Sequence, residues 1–393
     1  MTTSDFDFDT PIERRAVPAL KTHPMVLGKD GGDLFPLGVA DMDFAAAPVI
    51  VQAMQDRLSH PVFGYEAVPA DLYPALARWQ KTRHGWDMDP AHVLRAPNVL
   101  NILGMAASTF SDAGDGIIVQ PPVFFDFFDI LRENHREILQ NPLIHDGQTY
   151  RMDFDDLEQK AADPRAKILF LCNPHNPVGR VWRADELRQL GDICERHGVL
   201  VVSDEIHADI TLEGHRYTPF AALGDRYAAN SVTCLSPAKS FNLASCSSAF
   251  TVISDEARRA RLQAENSRLT VAKNNAFASA AMLAAYQKGA PWLDAALSYI
   301  SANARLVHAR LDGLKGVRAP VPEGTFLMWL DFRALGLTPT EQTAFLRQKA
   351  RLAVNRGEAF GPQGEGFARL NIATQRAHLE RALDALVSTL ENY

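Results

Sequence analysis

The sequence predicts an α/β protein: a large domain with a mainly parallel β-sheet sandwiched by helices, joined to a smaller α+β domain. Two observations carry the prediction. Through the middle of the chain, short apolar runs alternate with amphipathic stretches of helical length, the pattern of repeated β-α-β units. The last hundred or so residues break that rhythm and mix helices with isolated extended segments. A length of 393 residues accommodates two or three such compact units.

Taken in chain order, Gly116 to Gln120, Lys167 to Cys172, Val199 to Asp204, Ser231 to Ser236 and Ala249 to Ile253 read as strands. Their apolar residues run continuously instead of alternating, as strands covered on both faces require. Between Cys172 and Val199, Leu187, Leu190 and Cys194 recur at helical spacing, and His197-Gly198 closes that helix with a basic last turn and a glycine cap. In such a sheet ligands bind beyond the carboxyl ends of the strands. Further on, a helix is expected over Ala302 to Leu314, an extended segment over Phe326 to Asp331, a polar helix from Pro339 and a last helix from Arg376. The first 45 residues are too few for a domain, so they are expected to pack on the smaller unit. This places the large domain at 46–289 and the small domain in 1–45 plus 290–393.

Composition narrows the function. With 40 basic against 47 acidic residues the net charge is -7, which argues against nucleic acid or an anionic membrane surface as the main partner. The four cysteines, Cys172, Cys194, Cys234 and Cys246, have neither C-x-x-C nor metal-ligand spacing, so they read as reduced thiols and no metal site is expected. Met1 to Phe8 is acidic and lacks the basic start of a secretory signal, and no apolar run is long enough for a membrane helix. A cytoplasmic location is the expectation.

Three motifs stand at the ends of successive strands: Asn173-Pro174-His175-Asn176-Pro177-Val178-Gly179, Asp204-Glu205-Ile206-His207 and Ser236-Pro237-Ala238-Lys239. Each alone has an ordinary explanation as a turn or a cap. Together they supply a lysine for a Schiff base, an acid for a pyridinium nitrogen and an amide donor for a phenolate oxygen, the parts that pyridoxal-phosphate chemistry needs.

On these motifs the chain resembles the fold-type I pyridoxal-phosphate enzymes of aminotransferase class I/II, and within them the MalY/PatB-type cysteine-S-conjugate β-lyases. The likeness spans nearly the whole sequence and includes Asp41-Met42-Asp43-Phe44, Phe63-Gly64-Tyr65, Glu195-Arg196-His197-Gly198, Lys239-Ser240-Phe241-Asn242, Ala290-Pro291-Trp292-Leu293-Asp294 and Gly366-Phe367-Ala368-Arg369-Leu370-Asn371. The resemblance implies pyridoxal 5'-phosphate as cofactor. It makes Lys239 the lysine that carries the cofactor and moves the substrate's α-proton, Asp204 the partner of the pyridine nitrogen, and Asn176 a hydrogen-bond donor to the ring oxygen. His207 stands where many aminotransferases have a tyrosine near the same oxygen. Asn98, Val99 and Leu100 resemble the helix start that holds the phosphate, with Asn98 as N-cap, and Ser236 would add a hydroxyl to it. Phe124 matches an aromatic that stacks on the ring, commonly tyrosine, and without the phenol only stacking survives. Phe125, Phe127 and Phe128 read as core in the main, as do Met328 and Trp329; a pocket-facing phenylalanine among the first three would favour an apolar substrate tail.

Arg369 resembles the arginine that clamps the substrate α-carboxylate, and Tyr65 a tyrosine that reaches the phosphate of a neighbouring subunit, which implies a homodimer with shared sites. The chain departs from the family at Ala96, at Ala238 in place of a second serine, and at Asn355-Arg356, where Arg356 would lie near the entrance. Histidines 23, 60, 84, 92, 135, 145, 215 and 308 show no ligand spacing and receive no role. The favoured reaction is β-elimination from L-cystathionine or an S-substituted L-cysteine, giving pyruvate, ammonia and a thiol. An aminotransferase on the same scaffold is the near alternative, and a non-catalytic cofactor-binding regulator the distant one.

Overall fold

The computed structural model describes residues 6–29, 31–246, 248–271 and 273–393, so most of the acidic start at Met1 lies outside the described residues. The main sheet has seven strands in the order Val93–Ala96, Ala249–Val252, Ser231–Leu235, Leu200–Asp204, Ala166–Cys172, Gly116–Val119 and Glu137–Gln140. Six of the strands run parallel to one another, and Ala249–Val252 runs against them. The five strands expected from sequence are present within a residue or so of their expected bounds. The two edge strands were not anticipated: Val93–Ala96 carries an arginine, and Glu137–Gln140 is polar at both ends, so neither has the continuous apolar run of a covered strand.

Continuous apolarity in the central strands is explained by two cores, one on each face. Ile117, Val119, Ile168, Phe170 and Val202 pack with Ile102, Leu103, Phe127, Leu131 and Leu262 from helices Val99–Phe110, Asp126–Glu133 and Glu256–Leu269. Ile118, Leu169, Leu171 and Val201 point the other way, onto Leu157, Leu187, Leu190 and Ile193 of helices Phe154–Ala161 and Ala184–Arg196. The period-two alternation thus persists, with both faces buried. The Ala184–Arg196 helix ends as read, with His197 as C-cap and Gly198 in the left-handed region at φ 69°.

Beyond the sheet, a single helix runs Ala290–Leu311. Sequence periodicity alone starts it too late, at Ala302, because Ala290-Pro291-Trp292-Leu293-Asp294 reads as a motif and not as a helix start. Pro291 sits in the first turn, where a missing N–H costs nothing. Strands Leu327–Asp331, Phe367–Asn371 and Asn355–Arg356 form an antiparallel sheet, with the middle one between the other two. The polar helix from Pro339 is short, ending at Ala344, and opens with a capping box between Thr338 and Glu341. The last helix is Arg376–Glu391. From the early segment, Phe35–Pro36 pairs in parallel with Leu352–Ala353. Met328 and Trp329 are buried, as expected.

Candidate active site

Strand register creates the site. Cys172 lies opposite Asp204, and Asp204 opposite Cys234. The Asn173 amide donates to the Asp204 carbonyl at 3.0 Å and the Glu205 amide to the Cys234 carbonyl at 3.0 Å. Three parallel strands therefore end at one level, and the residues just beyond them face a common space.

Lys239 follows the Ser231–Leu235 strand. Its Nζ donates to the Ala40 carbonyl at 2.7 Å. Burial pulls its pKa down to about 8, with help from the positive charge of Arg369 and against the charges of Asp41, Asp204 and Asp126. A larger fraction of neutral amine at neutral pH is what a lysine nucleophile needs. Asp204, at the end of the next strand, accepts from the Ile206 amide at 3.1 Å. Burial pushes its pKa up to about 6, while the Ile206 hydrogen bond and Lys239 pull it down. A carboxylate kept in such surroundings favours a cation or a donor N–H beside it.

Arg369, on the Phe367–Asn371 strand, is buried and bonds three acceptors: Asn176 Oδ1 at 2.9 Å, the Gly38 carbonyl at 3.0 Å and Asn355 Oδ1 at 2.9 Å. Its Nε is buried without a partner among the described residues. Burial makes this cation costly, a cost that an incoming carboxylate offsets. Asn176 thus meets Arg369 across the site. His207 is buried, its Nδ1 has no partner among the described residues, and burial with the nearby charges of Lys239 and Arg369 holds its pKa well below the usual value. It is a neutral ring at physiological pH.

A second corner of the site lies at the antiparallel strand. Ala249 is opposite Ala96, and Phe250 is opposite Leu235, so the residues after both neighbouring strands come together. Asn98 caps helix Val99–Phe110 by accepting from the Asn101 amide at 2.9 Å. The amides of Val99 and Leu100 precede the first intrahelical bonds and are free to meet an anion. Ser236 donates to the Ser248 carbonyl at 2.8 Å and accepts from the Ala238 amide at 3.1 Å. Its hydroxyl is therefore engaged within the chain. Arg95, not singled out from the sequence, is buried here, bonds Ser248 Oγ at 3.1 Å, and pairs with no carboxylate among the described residues.

Phe124 is half-buried beside Phe125, with ring centroids 4.9 Å apart. Phe127 and Phe128 are core. Phe125 meets the buried Phe360 edge-on at 5.6 Å, and Phe360 carries the Arg369 guanidinium 4.8 Å above its ring. Tyr65 is fully exposed and is not brought to the site within this chain.

Sequence reading missed the strap formed by residues 37–43. Gly38 and Ala40 supply the carbonyls that hold Arg369 and Lys239, and Asn371 Nδ2 donates to the carbonyls of Val39 and Asp41, each at 2.6 Å. Glycine at 38 allows this close approach, since a Cβ there would lie 3.2 Å from Asn355 Oδ1 and 3.3 Å from the Ala353 carbonyl. Asn242 accepts from the Met42 amide and donates to the Met42 carbonyl, both at 2.9 Å, which explains why the Asp41-Met42-Asp43-Phe44 and Lys239-Ser240-Phe241-Asn242 motifs occur together. Also missed was Asp209, buried behind Lys239, which accepts from Trp79 Nε1 at 2.8 Å, Ser240 Oγ at 2.8 Å and His84 Nε2 at 2.7 Å. His84 therefore has a structural place that its spacing did not show.

The donor set fits pyridoxal phosphate: a buried amine of lowered pKa, a buried carboxylate for a ring nitrogen, an Arg369 Nε without a partner among the described residues and a capped helix start for an anion. No group of three or more metal-binding side chains occurs among the described residues, and no described helix is long and apolar enough to cross a membrane.

A family model described as aminotransferase class I and II matches residues 32–386. The chain is 42% identical over 359 residues to cystathionine β-lyase PatB of Bacillus subtilis (strain 168), covering 91% of this chain and 93% of that protein. It is 32% identical over 390 residues to protein MalY of Escherichia coli (strain K12), covering 98% and 99%. Among solved structures, cystalysin from Treponema denticola, described as containing a pyridoxal 5'-phosphate cofactor, superposes with a TM-score of 0.95 at 30% identity, covering 98% of this chain and 99% of that one.

Proposed function

Since the chain belongs to the aminotransferase class I and II family, of fold type I, we propose that it is a pyridoxal-phosphate-dependent carbon–sulfur β-lyase acting on L-cystathionine or S-substituted L-cysteines. The observation that carries the reading is the convergence of Lys239, Asp204 and the Asn176–Arg369 pair at the strand ends. That relatives named cystathionine β-lyase match over nearly the full length favours the lyase over an aminotransferase.

When bound, the cofactor supplies an electron sink for the pair left on Cα after proton removal. Arg369 takes the α-carboxylate through its guanidinium fork, which also fixes the direction of the Cα–H bond. Lys239 Nζ removes the α-proton. Asp204 would hold a proton on the ring nitrogen, and Asn176 would donate to the ring oxygen. Neutral His207 lines the same space without adding charge. Asn98, Val99 and Leu100 would hold the phosphate end, with Arg95 supplying positive potential and Phe124 stacking on the ring; Ser236, expected to add a hydroxyl there, has its proton committed to the Ser248 carbonyl. Loss of the C–S bond then releases a thiolate, and water converts the remaining enamine to pyruvate and ammonia.

We expect L-cystathionine supplied alone to give many turnovers with pyruvate, ammonia and thiol in equal amounts, unaffected by a keto acid. Turnover that stops after one equivalent and resumes with a keto acid would establish the aminotransferase instead.

The working unit is a homodimer in this reading, and the division into a large domain at 46–289 and a small one in 1–45 plus 290–393 belongs to it. Tyr65 is exposed among Val62 and Phe63, an apolar stretch that a second subunit would cover. Inactive Tyr65→Ala and Lys239→Ala chains, mixed to form heterodimers, should regain activity because one site then has all its parts. Subunit exchange without recovery would remove Tyr65 from the shared site.

A further inference from the structure

Arg369 sits in the middle of a row that crosses the three-stranded antiparallel sheet. Trp329 is opposite it on one side and Asn355 on the other, and directly opposed residues of antiparallel strands share a face. Arg356, next along its strand, is turned to the other face, opposite Ala368, and is exposed. Of the two residues at which this segment departs from the family, Asn355 is thus the one beside the carboxylate clamp. Its Oδ1 accepts from Arg369 Nη2 at 2.9 Å, and the Gly38 carbonyl accepts from the same nitrogen at 3.0 Å.

Both Nη2 hydrogens are therefore engaged within the chain. A carboxylate held at two points needs two parallel N–H groups, Nε with Nη2 or Nη1 with Nη2, and either pair includes Nη2. One of the two acceptors must give way. The Gly38 carbonyl is backbone, in a strap whose next carbonyls, Val39 and Asp41, are held by Asn371. Asn355 is half-buried, and its amide turns about a soft terminal torsion. Its Nδ2 donates to no group among the described residues, and since Oδ1 and Nδ2 share one carbon, turning the amide over puts a donor where the acceptor stood. We propose that Asn355 is a substrate-binding residue: its Oδ1 occupies the Arg369 fork, and an incoming α-carboxylate turns the amide so that Nδ2 donates to it alongside Arg369. An aspartate here would stay on Nη2 and repel the same carboxylate, and an apolar residue would neither hold the fork nor donate. The inference rests on Arg369 as the carboxylate clamp and deepens that site by one residue.

The test titrates the visible band of the cofactor-loaded enzyme with two compounds that have no leaving group at Cβ: L-methionine, and 3-(methylthio)propylamine, the same molecule without its carboxylate. Asn355→Leu should weaken L-methionine by about tenfold, as for one hydrogen bond to a charged group, and move the amine by no more than about twofold. Asn355→Asp should weaken L-methionine further, by about a hundredfold, because its charge opposes the arriving one. Being nearly isosteric, it also keeps the test open should the leucine variant not fold. In an Arg369→Lys background, where there is no fork to orient, Asn355→Leu should still cost L-methionine about threefold or more. No loss in Asn355→Leu, equal loss on both compounds, or an Asn355→Asp variant that matches the wild type each overturns the inference. So does a cost that disappears in the Arg369→Lys background, since Asn355 would then act only by orienting the guanidinium. A wild type that binds L-methionine no better than the amine would overturn Arg369 as the clamp, whereas a wild-type preference untouched by either Asn355 variant overturns only the role of Asn355.

Discussion

Two regions meet at the site, and they are built on opposite principles. The carboxyl edge of the parallel sheet contributes charged side chains, Lys239 and Asp204, that burial has moved away from their ordinary protonation behaviour. The strap of residues 37–43 contributes backbone carbonyls and is anchored by charges that are fully paired: Lys21 lies 3.0 Å from both Asp41 and Asp43, and Arg14 lies 2.6 Å from Asp41 and 2.8 Å from Asp43. The strand edge holds groups in a state that costs stability and serves chemistry. The strap spends its charges on stability and offers the site neutral acceptors.

The sharpest break between the regions is expected at Lys239. Lys239→Ala should lower turnover by at least about ten-thousand-fold, since it removes both the attachment point and the proton carrier. The visible band of the bound cofactor should vanish, and borohydride should no longer link cofactor to chain. The fold should remain, because the amine lost there bonded one carbonyl, that of Ala40. Persistent activity with added cofactor would deny Lys239 its role.

The strap should respond the other way. Lys21 is buried, and Lys21→Met leaves Asp41 and Asp43 sharing Arg14 alone. Breaking a buried ion cluster from one side should cost about 3 kcal/mol. Denaturant titration should show this loss, and hydrogen exchange should show amides 37–43 opening first. Activity should fall through KM, as Gly38 and Ala40 lose their fixed places. An unchanged midpoint would mean that the strap is held by Asn371, Gln375 and the Phe8–Phe44 contact instead.

The same contrast governs what the sequence made legible. Strand-edge residues are readable because each sits at the end of an apolar run, where topology places ligands whatever the details. The strap is not readable in this way. Its working atoms are carbonyls of Gly38 and Ala40, which any residue possesses, and their partners lie some two to three hundred positions away. Arg95 and Asp209 escaped for a different reason: an arginine in a short edge strand and an acid after a histidine motif look like surface residues until burial is known. The helix start at Ala290 was obscured by its own motif, since Pro291 reads first as a breaker and only in context as a first-turn residue.

The smallest expected effect turns the comparison into a sign. Asp204 has its pKa raised by burial from 3.8 to about 6. Between those values the folded, cofactor-free protein binds more protons than the unfolded chain, so stability falls as pH rises through that window. By pH 7.5 the carboxylate is charged in both states, and the accumulated loss is about 2 to 3 kcal/mol at 1.4 kcal/mol per pK unit. Asp204→Asn has no charge to desolvate. Cofactor-free Asp204→Asn should therefore match the wild type near pH 3 and become more stable by about 2 kcal/mol at pH 7.5, with the gain appearing between pH 4 and 6. In the cofactor-loaded protein the advantage should shrink, because the wild-type carboxylate there has a protonated ring nitrogen to pair with, and proton removal from Cα should be slow in the variant. Denaturant titration at several pH values, with and without cofactor, measures all of this. A variant that is less stable at pH 7.5 than the wild type, as Lys21→Met should be, would mean that Asp204 is a structural anchor like the strap residues and not a group held at a cost for chemistry.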